Sequence, residues 1–139
     1  MFDNLPILLI ESEGDAAQSA MDMLSSLGVQ NQVVHFTNQQ DGLAFLNDSA
    51  TPRPSLVLLN PDASDTSHPV FLQVVKLSNT LCSIPIIILT DCDRRDVISD
   101  CYGQGAAGYL VKSKSQKKTI DKLEAVMRYW SLNRLPLMS

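Results

Sequence analysis

The chain has 139 residues, 45% of them hydrophobic and 19% charged, with a formal net charge of −4. That is the size and make-up of one globular domain with its own core, not of two domains or a disordered tail. The negative balance argues against non-specific nucleic-acid binding, and no apolar run approaches the about 18 residues of a membrane helix, so neither nucleic acid nor membrane is expected as a partner.

The N-terminus, MFDNLPILLIESEG, has no basic leader and carries acids directly after a short apolar run. No signal peptide is expected, and the expected location is cytoplasmic. Cys82, Cys92 and Cys101 form no CxxC pair and no His-linked metal spacing. They are expected to be reduced thiols serving in packing.

In chain order, PILLI (6–10) is a short apolar run and reads as a buried strand. Residues 16–27 place Ala17, Ala20, Met21, Leu24 and Leu27 at the spacing of an amphipathic helix, with Gly28 as its stop. QVVHF (32–36) is a second strand. Thr37 with Gln40 predicts a capping box for a helix running through Leu46. The breaker TPRP then leads into SLVLLN (55–60), a third strand. Residues 69–78 read as a helix opened by proline, and PIIILT (85–90) as a fourth strand. That strand is the most apolar, which predicts a central place in a sheet covered on both faces. A short helix over 93–102, a strand AGYLV (107–111) and a helix over about 116–132 complete the pattern.

Five strands alternating with five helices predict an α/β fold: a doubly wound, five-stranded parallel sheet flanked by five helices, flavodoxin-like in layout. Residues 1–139 form a single domain in this reading, with a short apolar tail over about 131–139 after the last helix. In such sheets the functional crevice lies beyond the carboxyl ends of the strands. Glu11 and Ser12 follow the first strand, Asn60 ends the third, Thr90 ends the fourth and Lys112 follows the fifth. Topology brings these five polar side chains to one crevice.

A carboxylate, a hydroxyl, an amide, a second hydroxyl and a lysine in that order resemble the receiver domain of two-component response regulators. The resemblance spans essentially the whole chain. Thr90 lies thirty residues after Asn60, and Lys112 twenty-two further on, with Tyr109 at the place of the family's switch aromatic. LVLLN, IPIIILTD, GAAGYLVK and the tail RYWSLNRLPL are similar to the stand-alone phytochrome response regulators. The resemblance implies an acidic pair after the first strand, an aspartate phosphoacceptor ending the third and a Mg²⁺ ion held among them. It also implies a lysine and a hydroxyl that meet the phosphoryl group.

This sequence departs from that pattern where the chemistry is concentrated. Asn60 stands at the phosphoacceptor position, and an amide is a poor nucleophile that gives no acyl phosphate. Ser12 replaces the second acid, so Glu11 is the single carboxylate left to offer a metal. A hard cation needs more oxygen charge than that, so Mg²⁺ binding is expected to be weak or absent and no other cofactor is expected. The loop PDASDTSHP lacks the family's glycine, and Ser113 follows Lys112 in place of the family's proline. Pro61 after Asn60 has no N–H, which closes the usual succinimide route by which an asparagine becomes an aspartate.

The sequence therefore predicts a non-enzymatic, phosphorylation-independent signalling module that acts by protein–protein contact. Its expected partners are a sensor histidine kinase or another signalling protein. The resemblance implies that a second copy pairs through the fourth helix, fifth strand and fifth helix, with the apolar tail extending that face. The alternative is a phosphorylatable switch that uses Asp62, Ser12 or Thr90 as a non-standard acceptor. A flavin-phosphate site is disfavoured, because the loop ESEGDA would repel phosphate. Lys112 is expected to pair with Glu11, and Thr90 to hydrogen-bond locally. His35 and His68 are expected to be structural or solvent-facing.

Overall fold

A computed structural model describes residues 5–61 and 70–133. Its strands are β1 (Ile7–Ile10), β2 (Val33–Phe36), β3 (Leu56–Leu59), β4 (Ile86–Thr90) and β5 (Gly108–Val111). Its helices are α1 (Gly14–Ser26), α2 (Gln39–Asn47), α3 (Val70–Leu77), α4 (Arg95–Gly103) and α5 (Gln116–Leu132). The strands form one parallel sheet in the order β2-β1-β3-β4-β5. The predicted fold class holds. β3 occupies the centre, however, and β4 lies one place away. β1, β3 and β4 are all fully buried, so apolar content could not rank them.

The period of two along each inner strand sorts side chains between two cores. Leu8, Ile10, Val57, Leu59, Ile86 and Ile88 face α2, α3 and α4 through Leu46, Phe71, Leu72, Val75 and Cys101. Ile7, Leu9, Leu56, Leu58, Ile87 and Leu89 face α1 and α5 through Ala17, Ala20, Leu24, Leu123 and Met127. Each fully buried aliphatic side chain contributes about 1.5–3 kcal/mol. Covering both faces is what lets these strands be apolar throughout.

Gly28 ends α1 as expected, at φ +79°. Val29 N donates to Leu24 O and Gly28 N to Ser25 O, the paired bonds of a Schellman stop. α4 ends the same way at Gly105, φ +103°, with Ala106 N on Cys101 O and Gly105 N on Tyr102 O. Gly105 also lies against the Lys76 stem: an added Cβ would meet Lys76 Cγ at 2.5 Å. The α2 cap differs from the prediction by one residue. Asn38, not Thr37, is the cap; its side chain accepts from Asp41 N and donates to Asp41 Oδ2.

Of the cysteines, Cys101 is buried as a packing residue should be, Cys92 is half-buried, and Cys82 is exposed, contrary to the packing expectation. All three are free thiols. Asp62, Asp65, His68, Pro69 and the tail from residue 134 lie outside the described residues.

Candidate functional site

The 2-1-3-4-5 order reverses between β1 and β3, the position at which open parallel sheets form a crevice at their carboxyl ends. Ile10 pairs in register with Leu59, so the residues that follow, Glu11 and Asn60, stand abreast. Asn60 N donates to Ile10 O at 2.9 Å, which holds the end of β3 against β1.

Glu11 is the centre of the site. Only 3% of the residue is exposed. Its Oε1 accepts from Asn60 Nδ2 at 3.0 Å and faces Lys112 Nζ at 3.5 Å. Its Oε2 accepts from Glu13 N at 3.1 Å. The predicted Lys112–Glu11 pair is present, with both side chains largely buried. A buried carboxylate is tolerable only when charge and donors surround it, and here a cation, an amide and a backbone N–H do so. His35 braces the same residue from β2: Nε2 lies 2.8 Å from Glu11 O and donates to it, since a carbonyl can only accept.

Thr90 is fully buried, and its Oγ1 accepts from Cys92 N at 3.3 Å, the local bond expected of it. Lys112 N donates to Thr90 O at 2.8 Å, which ties the ends of β4 and β5 together. Tyr109 is half-buried, and its hydroxyl donates to Cys92 O at 2.8 Å. The loop after β4 is thus held from both sides, by the threonine and by the tyrosine. Ser12, next along the chain, is exposed. Glu11, Asn60, Thr90, Tyr109 and Lys112 therefore belong to one bonded neighbourhood, and Ser12 stands at its rim.

These residues do not fit a magnesium site. Both oxygens of the single carboxylate already receive donors, Asn60 turns an N–H₂ donor toward it, and Ser12 adds no charge. Among the described residues there is no group of three His, Cys, Asp or Glu side chains able to hold a metal.

Gln39 was not singled out by the sequence. It is 4% exposed and bridges two elements: Nε2 donates to Pro61 O at 3.4 Å, and Oε1 accepts from Phe71 N at 2.7 Å. A residue at the start of α2 thereby serves a backbone donor in the first turn of α3. Its one sequence signal is its place just past β2, at the carboxyl end of the sheet. Gln39→Met, which keeps the length and loses both polar atoms, is expected to cost about 1–3 kcal/mol by leaving the buried Phe71 N–H without its acceptor. Urea denaturation measures this; a cost below about 0.5 kcal/mol would show that the bridge is not stabilising.

No protein-family model matches the chain. It is 23% identical over 128 residues to response regulator Rcp1 of Synechocystis, covering 89% of this chain and 87% of that protein. It is 25% identical over 138 residues to the probable methanogenesis regulatory protein FilR2 of Methanothrix harundinacea, covering 96% and 89%. The fold superposes on the phosphorylated cyanobacterial phytochrome response regulator RcpA with a TM-score of 0.85 and 22% identity, over 96% of this chain and 99% of that one. A receiver domain from Rhodospirillum rubrum gives 0.82 at 25% identity, over 97% and 99%. With this strand order and matches of this kind along nearly its whole length, the chain has the receiver-domain fold and is similar to the stand-alone phytochrome response regulators.

Proposed function

We propose that this receiver is a non-enzymatic signalling module whose state is not set by phosphorylation and whose output passes through protein–protein contact. The observation that carries the reading is the Asn60 amide donating to Glu11 Oε1, with Lys112 against the same oxygen. An amide nitrogen there neither attacks a phosphoryl group nor ligates a cation. The acceptor position and the metal position are lost together, and the remaining charges neutralise each other.

Receiver domains interact with sensor kinases and other signalling proteins, and a partner of that class is the one proposed. A second copy is also proposed. Tyr102 on α4 and Tyr129 and Leu132 on α5 are exposed large apolar residues, and β5 is an open sheet edge beside them. Burial of such groups favours association. The apolar tail assigned to that contact lies outside the described residues. Complete burial of Thr90 speaks against it as a substitute phosphoacceptor.

Intact mass after incubation with acetyl phosphate and Mg²⁺ tests the reading. The natural chain is expected to stay unmodified, while the Ser12→Asp, Asn60→Asp double variant gains one phosphoryl group. Modification of the natural chain would overturn the reading, and the modified residue would then be the switch. An unmodified double variant would show that the crevice differs from a receiver's in shape as well as in charge.

A further inference from the structure

We propose that the turn between β5 and α5 and the first turns of α5 form a docking surface for a short acidic segment of a partner protein. This names the partner chemistry of the reading above and rests on its claim that output passes through protein contact.

The charge distribution is uneven. Residues 112–122, KSKSQKKTIDK, hold five of the chain's eleven Lys and Arg residues and one aspartate. That is +4 within a total of −4, which leaves −8 on the other 128 residues. Lys112 is committed to Glu11 and is half-buried, but Lys114, Lys117, Lys118 and Lys122 are exposed. Among the described residues, no carboxylate lies within ion-pair distance of Lys114, Lys117 or Lys118. These cations stand beside the positive end of a 17-residue helix, where the backbone dipole opposes them. Such an arrangement is unfavourable in the free protein and is relieved by an anionic partner.

The surface is also held in shape. Ser115 caps α5 by accepting from Lys118 N, and Ser115 N donates to Ser113 Oγ at 3.1 Å. Ser113 N donates to the hydroxyl of buried Thr119 at 2.9 Å. Lys122 Nζ reaches back to Val111 O at 2.8 Å. A turn braced by three hydroxyls presents its lysines with less ordering cost on binding.

Extent and charge favour a peptide over a longer polyanion. From Lys117 to Lys122 the helix rises about 7–8 Å, the span of two or three extended residues. A duplex or a membrane surface would extend past this patch onto a remainder that carries −8 and repels it.

The test uses the full ¹⁵N-labelled chain titrated with hexaglutamate. Amide shifts are expected to move within residues 112–122, and affinity is expected to fall about tenfold or more as salt rises from about 0.05 to about 0.3 M. The K114Q, K117Q, K118Q variant leaves Lys112 and Lys122 in their bonds; it is expected to lose about tenfold in affinity without a drop in melting temperature. R53Q, R94Q, R95Q removes the same charge elsewhere and is expected to bind as the natural chain does. Equal loss in that variant, or shifts centred outside 112–122, would overturn the proposal. So would tighter binding to phosphatidylserine vesicles or to duplex DNA than to the peptide. All titrations use unphosphorylated protein, so failure of this surface is read from binding, and failure of the phosphorylation-independent reading is read separately from mass.

Discussion

Asn60→Asp is expected to lower the melting temperature by roughly 10 °C in EDTA and to regain most of it in millimolar Mg²⁺, while the natural chain responds to neither. The substitution replaces the Nδ2 donor, 3.0 Å from Glu11 Oε1, with a carboxylate oxygen. An attraction becomes a repulsion at the same place. Two unit charges at 4 Å interact by about 4 kcal/mol at an effective dielectric of about 20, and Lys112 offsets part of that, so a net cost of about 2–3 kcal/mol is expected. The new carboxylate also supplies what the natural site lacks, a second anionic oxygen ligand beside Glu11. A cation at about a hundred times its Kd returns about 2.7 kcal/mol, comparable to the loss. Thermal unfolding of both proteins, with EDTA and with Mg²⁺, measures all four values. A natural chain that gains as much from Mg²⁺ as the variant would show that Asn60 does not exclude the ion. A variant with unchanged stability in EDTA would show that the amide–carboxylate bond is not formed in solution.

Glu11→Ala is expected to destabilise the fold by about 3–5 kcal/mol, and Lys112→Met by about 1–2 kcal/mol. The asymmetry follows from connectivity. Glu11 answers Lys112, Asn60 and the Glu13 N–H, so its loss deprives three donors at once. Lys112 contributes one interaction, at 3.5 Å. Without it, Glu11 keeps the amide and the backbone donor, and methionine fills the volume of the lysine stem. The double variant is expected to cost little more than Glu11→Ala alone, because the lysine's partner is already gone. Chemical denaturation of the four proteins gives the cycle. Equal single-variant costs would mean that the carboxylate depends on the lysine alone and is not the common partner of the site.

Much of the fold was legible because its signals are local. Each strand is a short apolar run, since helices cover both faces of the sheet and no position on an inner strand need be polar. The α1 stop at Gly28 was legible for a similar reason: a Schellman turn needs a residue at positive φ, and glycine adopts it without strain. The α2 cap was missed by one residue because Thr37 and Asn38 are both competent caps, and the path of the chain out of β2 chooses between them. Gln39 was missed because its partners, Pro61 O and Phe71 N, are 22 and 32 residues away.

By itself the sequence determined the elements, their alternation and hence the parallel doubly wound sheet. It also determined which residues follow the strands at the carboxyl end, because strand ends in a parallel sheet share one edge. Only the tertiary structure decided that β3, not β4, is central, since strands buried on both faces are alike in composition. Only the tertiary structure gave Glu11 its role as common acceptor. That role depends on the Ile10–Leu59 register, which sets Glu11 and Asn60 abreast, and on β5 bringing Lys112 within 3.5 Å of the same carboxylate. A sequence pattern records the preferences of neighbouring residues, whereas the choice of donor for a given oxygen is made by strands that meet across some fifty to a hundred residues of chain.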